Sequence, residues 1–141
     1  TFLNDAYGYK TLNKQVKLEY VKNKGDYDDL EKAQIYVTTN LRKLQANSDP
    51  SANDVAFANM KKGTDIWEQT LKKVNYNDKK ATFNAKIAKF LFLNLIRLNV
   101  ALENKQEAEK YLNAFQDKLV ELDLSYDEKA ELKLLEKQIY K

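Results

Sequence analysis

The chain has 141 residues, a net charge of +3, 43% hydrophobic and 32% charged residues, and neither histidine nor cysteine. The absence of cysteine excludes disulfides and zinc-thiolate sites, and the absence of both residues removes the side chains that most enzymes use at neutral pH. With only three glycines and one proline, the chain is poorly suited to an all-β fold, so the composition predicts one all-helical domain over residues 1–141.

No apolar run approaches the roughly 20 residues that a membrane-spanning helix needs. The richest stretch, residues 83–102, is interrupted by charged and amide side chains, including Lys86 and Arg97. The sequence therefore predicts no transmembrane segment. The sequence begins at Thr1 and not at an initiator methionine. The cellular compartment therefore stays open, and so does the alternative that an export signal or membrane anchor was removed before this point.

Apolar residues spaced three or four apart predict about six helices in all. The first covers residues 4–23 and the second residues 27–46, with the Gly25-Asp26 turn between them. The polar break at 47–51 contains the only proline, so it marks a candidate joint near residues 47–53. The first two helices are expected to form a hairpin.

The third helix is predicted over residues 53–75, and Gly63 on its apolar face favours close approach of another helix. The fourth, residues 79–103, is the longest and most apolar, and is the expected central helix. Asn104 with Glu107 caps the fifth, and Ser125 with Glu128 forms a capping box that opens the sixth. Because short connections join antiparallel neighbours, the predicted architecture is three successive helical hairpins.

Two turns are similar to those of a known repeat family. The stretch 102–112 places Ala108 at a small buried position after the packing residues Phe92, Leu95 and Ile96, and the first turn has Gly25 followed by Leu30 and Ala33. These features resemble tetratricopeptide-repeat hairpins, which implies protein or peptide binding along a concave helical surface. An irregular helical bundle stays open, because Asn99 departs from the family pattern and the turns do not recur every 34 residues.

Candidate catalytic residues are few. The three serines lie in predicted turns or caps, and the chain has no histidine to act as their base: Ser48, Ser51 and Ser125. The paired carboxylates, Asp28-Asp29 and Asp127-Glu128, lie in first helical turns, where the helix dipole favours acids. The acidic stretch 26–31 lacks the glycine and the terminal glutamate of a calcium loop. The sequence therefore predicts no catalytic residue, no metal site and no cofactor. A carboxylate enzyme is the third-ranked hypothesis.

One face of the fourth predicted helix mixes cations, an amide and apolar side chains. We call it the α-sector, and it comprises Thr82, Lys86, Lys89, Phe90, Leu93, Asn94 and Arg97. A purely solvated face would not keep Phe90 and Leu93, so they are the expected apolar anchors of a partner. The alternative is that another helix covers both while the lysines extend past them. On the opposite face, Asn99 needs a hydrogen bond, either to a neighbouring helix or to a ligand.

The leading hypothesis is a non-enzymatic interaction module that binds a protein or peptide segment in a groove around the fourth helix, and whether that segment is acidic stays open. Its predicted binding residues are Lys86, Lys89, Phe90, Leu93, Asn94 and Arg97. The alternative is a surface that binds nucleic acid or anionic lipid through Lys61, Lys62, Lys72, Lys73, Lys79, Lys80, Lys86 and Lys89. Residues 60–97 carry 9 basic against 3 acidic residues, but residues 98–141 carry 7 against 10, and only two of the 24 basic residues are arginine.

Overall fold

A computed structural model describes residues 28–46, 50–118 and 122–141, and within them the chain is all-helical, as predicted. The described part contains five helices and no strand: α1 (Asp28–Ala46), α2 (Pro50–Lys72), α3 (Ala85–Ala101), α4 (Lys105–Gln116) and α5 (Tyr126–Ile139). The predicted first helix, residues 4–23, and the Gly25-Asp26 turn lie outside the described residues.

The chain divides into two compact units between Lys72 and Lys73. The first unit contains α1 and α2, and the second contains α3, α4 and α5. The candidate joint near residues 47–53 falls between α1 and α2, within the first unit. Residues 47–49 themselves are outside the described part.

The first unit is built on a close crossing of α1 and α2 at Gly63. A Cβ atom at Gly63 would lie 2.7 Å from the carbonyl oxygen of Ala33 and 2.7 Å from a methyl carbon of Val37. Only a glycine lets the two backbones approach this closely, so the close approach predicted at Gly63 is confirmed. Ala33, Val37 and Trp67 are fully buried in this unit.

In the second unit, the central helix α3 begins six residues later than the prediction of residue 79. Asn84 is the reason, because its side chain accepts hydrogen bonds from the backbone N–H groups of Lys86 at 3.0 Å and Ile87 at 3.4 Å. The loop before it is closed by a 2.9 Å hydrogen bond from the Asn75 N–H to the Phe83 carbonyl. The predicted start was therefore wrong, and residues 79–84 belong to this loop.

Helix α4 packs against α3 through an edge-to-face contact of Phe92 and Phe115, whose ring centroids are 5.7 Å apart. Leu95 and Ile96 of α3 are fully buried, as expected for a central helix. The predicted caps Asn104 and Ser125 are confirmed: their side chains accept from the backbone N–H groups three residues on, and Ser125 forms the full capping box. No helix within the described ranges is long and apolar enough to cross a membrane.

Candidate binding site

The part of the α-sector that lies on α3 is largely covered in the folded chain, whereas Thr82 lies in the loop before α3. Leu93, Asn94 and Arg97 are buried, with exposed fractions of 2%, 0% and 3%, whereas Phe90 is half-buried and Lys86 exposed. This burial corrects the expectation of a solvent-facing sector. It agrees instead with the alternative that a neighbouring helix covers Leu93.

The covering helix is α5, and a buried ion pair joins it to α3. The guanidinium of Arg97 donates from Nε to one carboxylate oxygen of Glu131 at 2.5 Å and from Nη2 to the other at 2.6 Å. Both residues are buried. Such a two-point contact fixes the relative orientation of the two groups as well as neutralising their charges. It therefore sets how α5 lies on α3.

A second ion pair joins the same helices nearer the surface. The Lys89 ammonium lies 3.0 Å from a carboxylate oxygen of Glu128, and the two side chains are 17% and 24% exposed. Burial raises the pKa of Glu128, but hydrogen bonds from Ser125 and Lys89 outweigh it and hold the pKa below its ordinary value of 4.5. The carboxylate is therefore charged near neutral pH, when this pair can form.

Asn94 completes the polar cluster on this face. Its side-chain oxygen accepts a 2.8 Å hydrogen bond from Nη1 of Arg97. Its amide nitrogen is buried and has no hydrogen-bond partner among the described residues, an arrangement that costs free energy because the group has lost its water. Asn94 thus orients Arg97 toward Glu131 at an energetic cost to the fold.

Asn99, on the opposite face, is bonded within its own helix. Its side-chain amide donates to the Leu95 carbonyl at 2.8 Å. Neither a neighbouring helix nor a ligand is needed to satisfy this donor. Asn99 therefore gives no support to a ligand site on that face.

The serines and paired carboxylates considered for catalysis, where the structure describes them, lie at helix caps or in first helical turns. The hydroxyl of Ser125 accepts from the Glu128 N–H as the cap of α5, Asp127 and Glu128 lie in the first turn of that helix, and Asp28-Asp29 begin α1. Ser51 lies at the start of α2, and Ser48 is outside the described residues. Within the described ranges, no three acidic side chains come together as metal ligands would.

The lysines of the alternative hypothesis are divided between the two units. Lys61 is paired with Asp65 at 3.0 Å, an arrangement that raises the pKa of Lys61, and Lys62 lies 5.8 Å from the ring centroid of Tyr36. Four further lysines are exposed and form no salt bridge with any described residue: Lys72, Lys73, Lys79 and Lys80. Of these, Lys72 belongs to the first unit and the others to the second.

An open groove of about 740 Å³ runs along α5, and Leu124 and Leu132 contribute to its apolar lining. Its charged lining residues are two lysines and two acids: Lys129, Lys133, Asp123 and Glu136. Because these charges balance, the groove selects neither an anionic nor a cationic ligand.

Glu131 is the candidate that the sequence reasoning missed, and Glu128 was considered there only as a cap and as a paired carboxylate. They lie three residues apart and so on one face of a helix, next to the apolar residues Leu132 and Leu135. The signal was present in the charge distribution, since the last third of the chain is acidic where the preceding segment is basic. An acidic stripe on one helix and a basic stripe on another are natural partners.

Comparison of the chain with known protein families, curated proteins and solved structures found no match. The resemblance to tetratricopeptide hairpins therefore rests only on the residues that carry it. Two of those residues have the packing that the resemblance implies, because Ala108 of α4 and Leu95 of α3 are both fully buried. Burial of this kind is common to helical hairpins in general, so it does not distinguish that repeat from an irregular bundle.

Proposed function

We propose that this chain is a non-enzymatic interaction module that binds an acidic, amphipathic helical segment of a protein on the α-sector of α3. The observation that carries the proposal is the pairing of Arg97 and Lys89 with Glu131 and Glu128. The helix that occupies the sector in this structure belongs to the chain itself, and it supplies a template for the partner.

The template specifies the chemistry of a competing segment. In α5, two carboxylates three residues apart meet the cations, and the buried apolar residues lie on the adjoining stripe: Leu132, Leu135 and Ile139. A partner with the same pattern makes the same contacts. Arg97 demands a carboxylate in particular, because its planar fork is satisfied by two oxygens held in one plane.

Competition with α5 determines the affinity. A helix tethered to its site has an effective concentration on the order of millimolar, so an external segment must outbind it. Helix α5 is only 14 residues long, and helices shorter than about 12–15 residues are marginal in water, so a released α5 loses part of its helicity. We therefore expect weak binding to the intact chain and stronger binding when α5 is loosened.

The test uses a fluorescein-labelled peptide with the sequence of residues 122–141, titrated with the full chain and followed by fluorescence anisotropy. Glu128→Gln in the full chain removes one surface contact of α5 and leaves the α-sector intact. Partly exposed ion pairs contribute about 0–1 kcal/mol, so affinity for the peptide should rise by up to about fivefold. Lys133→Gln, on the exposed side of α5, is the matched control and should leave affinity unchanged.

Variants of the α-sector test the site itself. In the Glu128→Gln chain, where Lys89 no longer pairs with α5, Lys89→Gln and Phe90→Ala should each weaken peptide binding. Lys89 there pairs only with a carboxylate of the peptide, and Phe90 is the half-buried apolar anchor. Leu93→Ala is unsuitable here, since Leu93 is buried and its truncation would destabilise the fold. Unchanged binding of the peptide by both the Lys89→Gln and Phe90→Ala chains would refute the proposal.

Three exposed lysines of the second unit support the second candidate, a surface for nucleic acid or anionic lipid: Lys73, Lys79 and Lys80. Lys72 of the first unit is exposed as well. If six phosphates are contacted, affinity should fall by about 10³ or more between roughly 50 and 200 mM salt. Replacement of the four lysines by glutamine should then weaken binding, and the α-sector variants should have no effect. A small salt dependence for a nucleic-acid oligonucleotide and for anionic vesicles would exclude this candidate.

A further inference from the structure

The α1–α2 hairpin of the first unit has an exposed face unrelated to the α-sector. We call it the lysine face, and it is defined by Lys32, Tyr36 and Lys43 of α1 and by Val55, Lys62 and Ile66 of α2. Within each helix these residues are spaced by four, seven or eleven positions, so they lie along one stripe. Tyr36 is 36% exposed and Val55 63% exposed, which is high for large apolar side chains in a helical hairpin.

Contacts between the helices show that the two stripes adjoin. The Lys62 ammonium lies 5.8 Å from the ring centroid of Tyr36, and a Cβ at Gly63 would lie 3.3 Å from the Tyr36 Cβ. Asn59 donates to the side-chain oxygen of Asn40 at 3.5 Å on the same side of the hairpin. The lysine face is therefore one continuous surface across both helices.

The charge on this face is unbalanced. Lys32, Lys43 and Lys62 are exposed and form no salt bridge with any described residue, and Asp29, near the start of α1, is the carboxylate next to Lys32 along the stripe. Elsewhere on the same hairpin Lys61 is neutralised by Asp65. This face therefore presents three exposed ammonium groups without a described carboxylate partner, one of them over the Tyr36 ring, beside exposed apolar side chains.

We propose that the lysine face binds an acidic amphipathic helix of another protein, lying along the line where α1 and α2 adjoin. Tyr36 lies opposite Gly63, and Val55 precedes Gly63 by eight residues, so the two apolar anchors are about 12 Å apart along the helix axis. A partner helix matches this distance with apolar residues seven or eight positions apart, which are separated by about 10.5–12 Å. Carboxylates between them meet the lysines.

A helical protein segment fits this surface better than a membrane does. Interfacial membrane helices bury a continuous apolar face in the bilayer, whereas polar or charged side chains separate the apolar residues here, among them Asn59 and Lys62. Two anchors at a defined spacing are instead typical of a helix lying in a groove, which places an apolar residue at every second turn. The membrane is accordingly the competing outcome of the test.

The probe is a designed peptide of about 16 residues, long enough to form a helix, with leucines seven positions apart and glutamates between them. Its affinity for the full chain is measured by anisotropy. The Lys43→Glu/Lys62→Glu chain should bind the peptide at least about tenfold more weakly, because like charges across an interface disfavour binding. Lys79→Glu/Lys80→Glu makes the same change of charge in the second unit and should bind like the unmodified chain.

Val55→Asp tests the apolar anchor and should weaken peptide binding to a similar degree. Phe57→Asp is the control, because Phe57 lies on another side of α2 and is 48% exposed, and it should leave peptide binding unchanged. Circular dichroism of each variant checks that the helices persist. Three results would each overturn the proposal. The lysine-face and control variants could weaken peptide binding equally, the chain could bind phosphatidylserine vesicles but not the peptide, or it could fail to bind the peptide at about 1 mM. Lys89→Gln separates it from the function proposed above, since that change should leave lysine-face binding unaltered.

Discussion

The buried pair of Arg97 and Glu131 allows a prediction with a definite order of stabilities. Removing one member leaves the other as an uncompensated buried charge, and this costs about 3–5 kcal/mol. That is a large fraction of the roughly 5–15 kcal/mol by which a domain is stable. We therefore expect Glu131→Leu and Arg97→Met, each made alone, to lower the free energy of unfolding severely.

Replacing both members gives a different result. With no buried charge left and with side chains of similar volume in place, the ionic pair itself is expected to be dispensable, because its desolvation cost offsets most of its attraction. Asn94 then loses the Arg97 donor to its side-chain oxygen, a loss that costs about 1–3 kcal/mol. The Arg97→Met/Glu131→Leu chain should therefore be less stable than the unmodified chain, but more stable than either single variant.

A third substitution isolates the contribution of Asn94. Its amide nitrogen is unpartnered even in the unmodified chain, so Asn94→Leu in the double variant should recover the lost stability and bring the chain to at least its original value. Urea unfolding followed by far-UV circular dichroism gives the free energies of all five chains, with equal m values as the check that the same surface unfolds. A double variant as unstable as the sum of the singles would refute the reasoning.

Three further predictions follow from the packing and the charges. Leu95→Ala, in the fully buried centre of α3, should lower the free energy of unfolding by about 2–5 kcal/mol in a urea titration, and a loss below about 0.5 kcal/mol would contradict its central position. Gly63→Ala should lower the thermal midpoint despite the gain of up to about 1 kcal/mol in helix propensity, because the new methyl meets a backbone carbonyl at 2.7 Å. Because folding lowers the pKa of Glu128, its charged carboxylate stabilises the fold at any pH above the ordinary pKa of 4.5. This stabilisation is lost as the pH falls through the lowered pKa of the folded chain. The stability gap between the unmodified chain and Glu128→Gln should thus close in acid, and a gap independent of pH would show that the Lys89 pair contributes nothing.

Local chemistry in the sequence predicted helices and caps well. Ser125 with Glu128, and Asn104 at the start of α4, carry their signals within three residues, because capping is a contact between near neighbours. The start of α3 was misplaced because Asn84 interrupts a stretch whose apolar spacing continues on both sides of it. When a capping residue lies inside a stretch of helical apolar spacing, either can determine where the helix begins. Here the cap at Asn84 determines the start of α3.

The covering of the α-sector could not be predicted in the same way. Helical spacing places Leu93, Asn94 and Arg97 on one face of α3, but it does not say which helix lies on that face. The partner of Arg97 is 34 residues away in the sequence, and only tertiary packing brings the two together. Polar residues on one face of a helix favour a prediction of solvent exposure, whereas an amide and a guanidinium can equally be buried where a carboxylate meets them.

The same complementarity joins the fold to the proposed function. A basic segment, residues 60–97, precedes an acidic one, residues 98–141, and the two meet at Arg97–Glu131 and Lys89–Glu128. The chemistry that holds α5 in place is the chemistry that would select an acidic helix from another protein. Nothing in the contact itself distinguishes the two occupants, so the outcome depends on the effective concentration of the tethered helix against the concentration and helicity of its competitor. Under the proposed function, the stability of α5 sets how readily a competing helix reaches the α-sector.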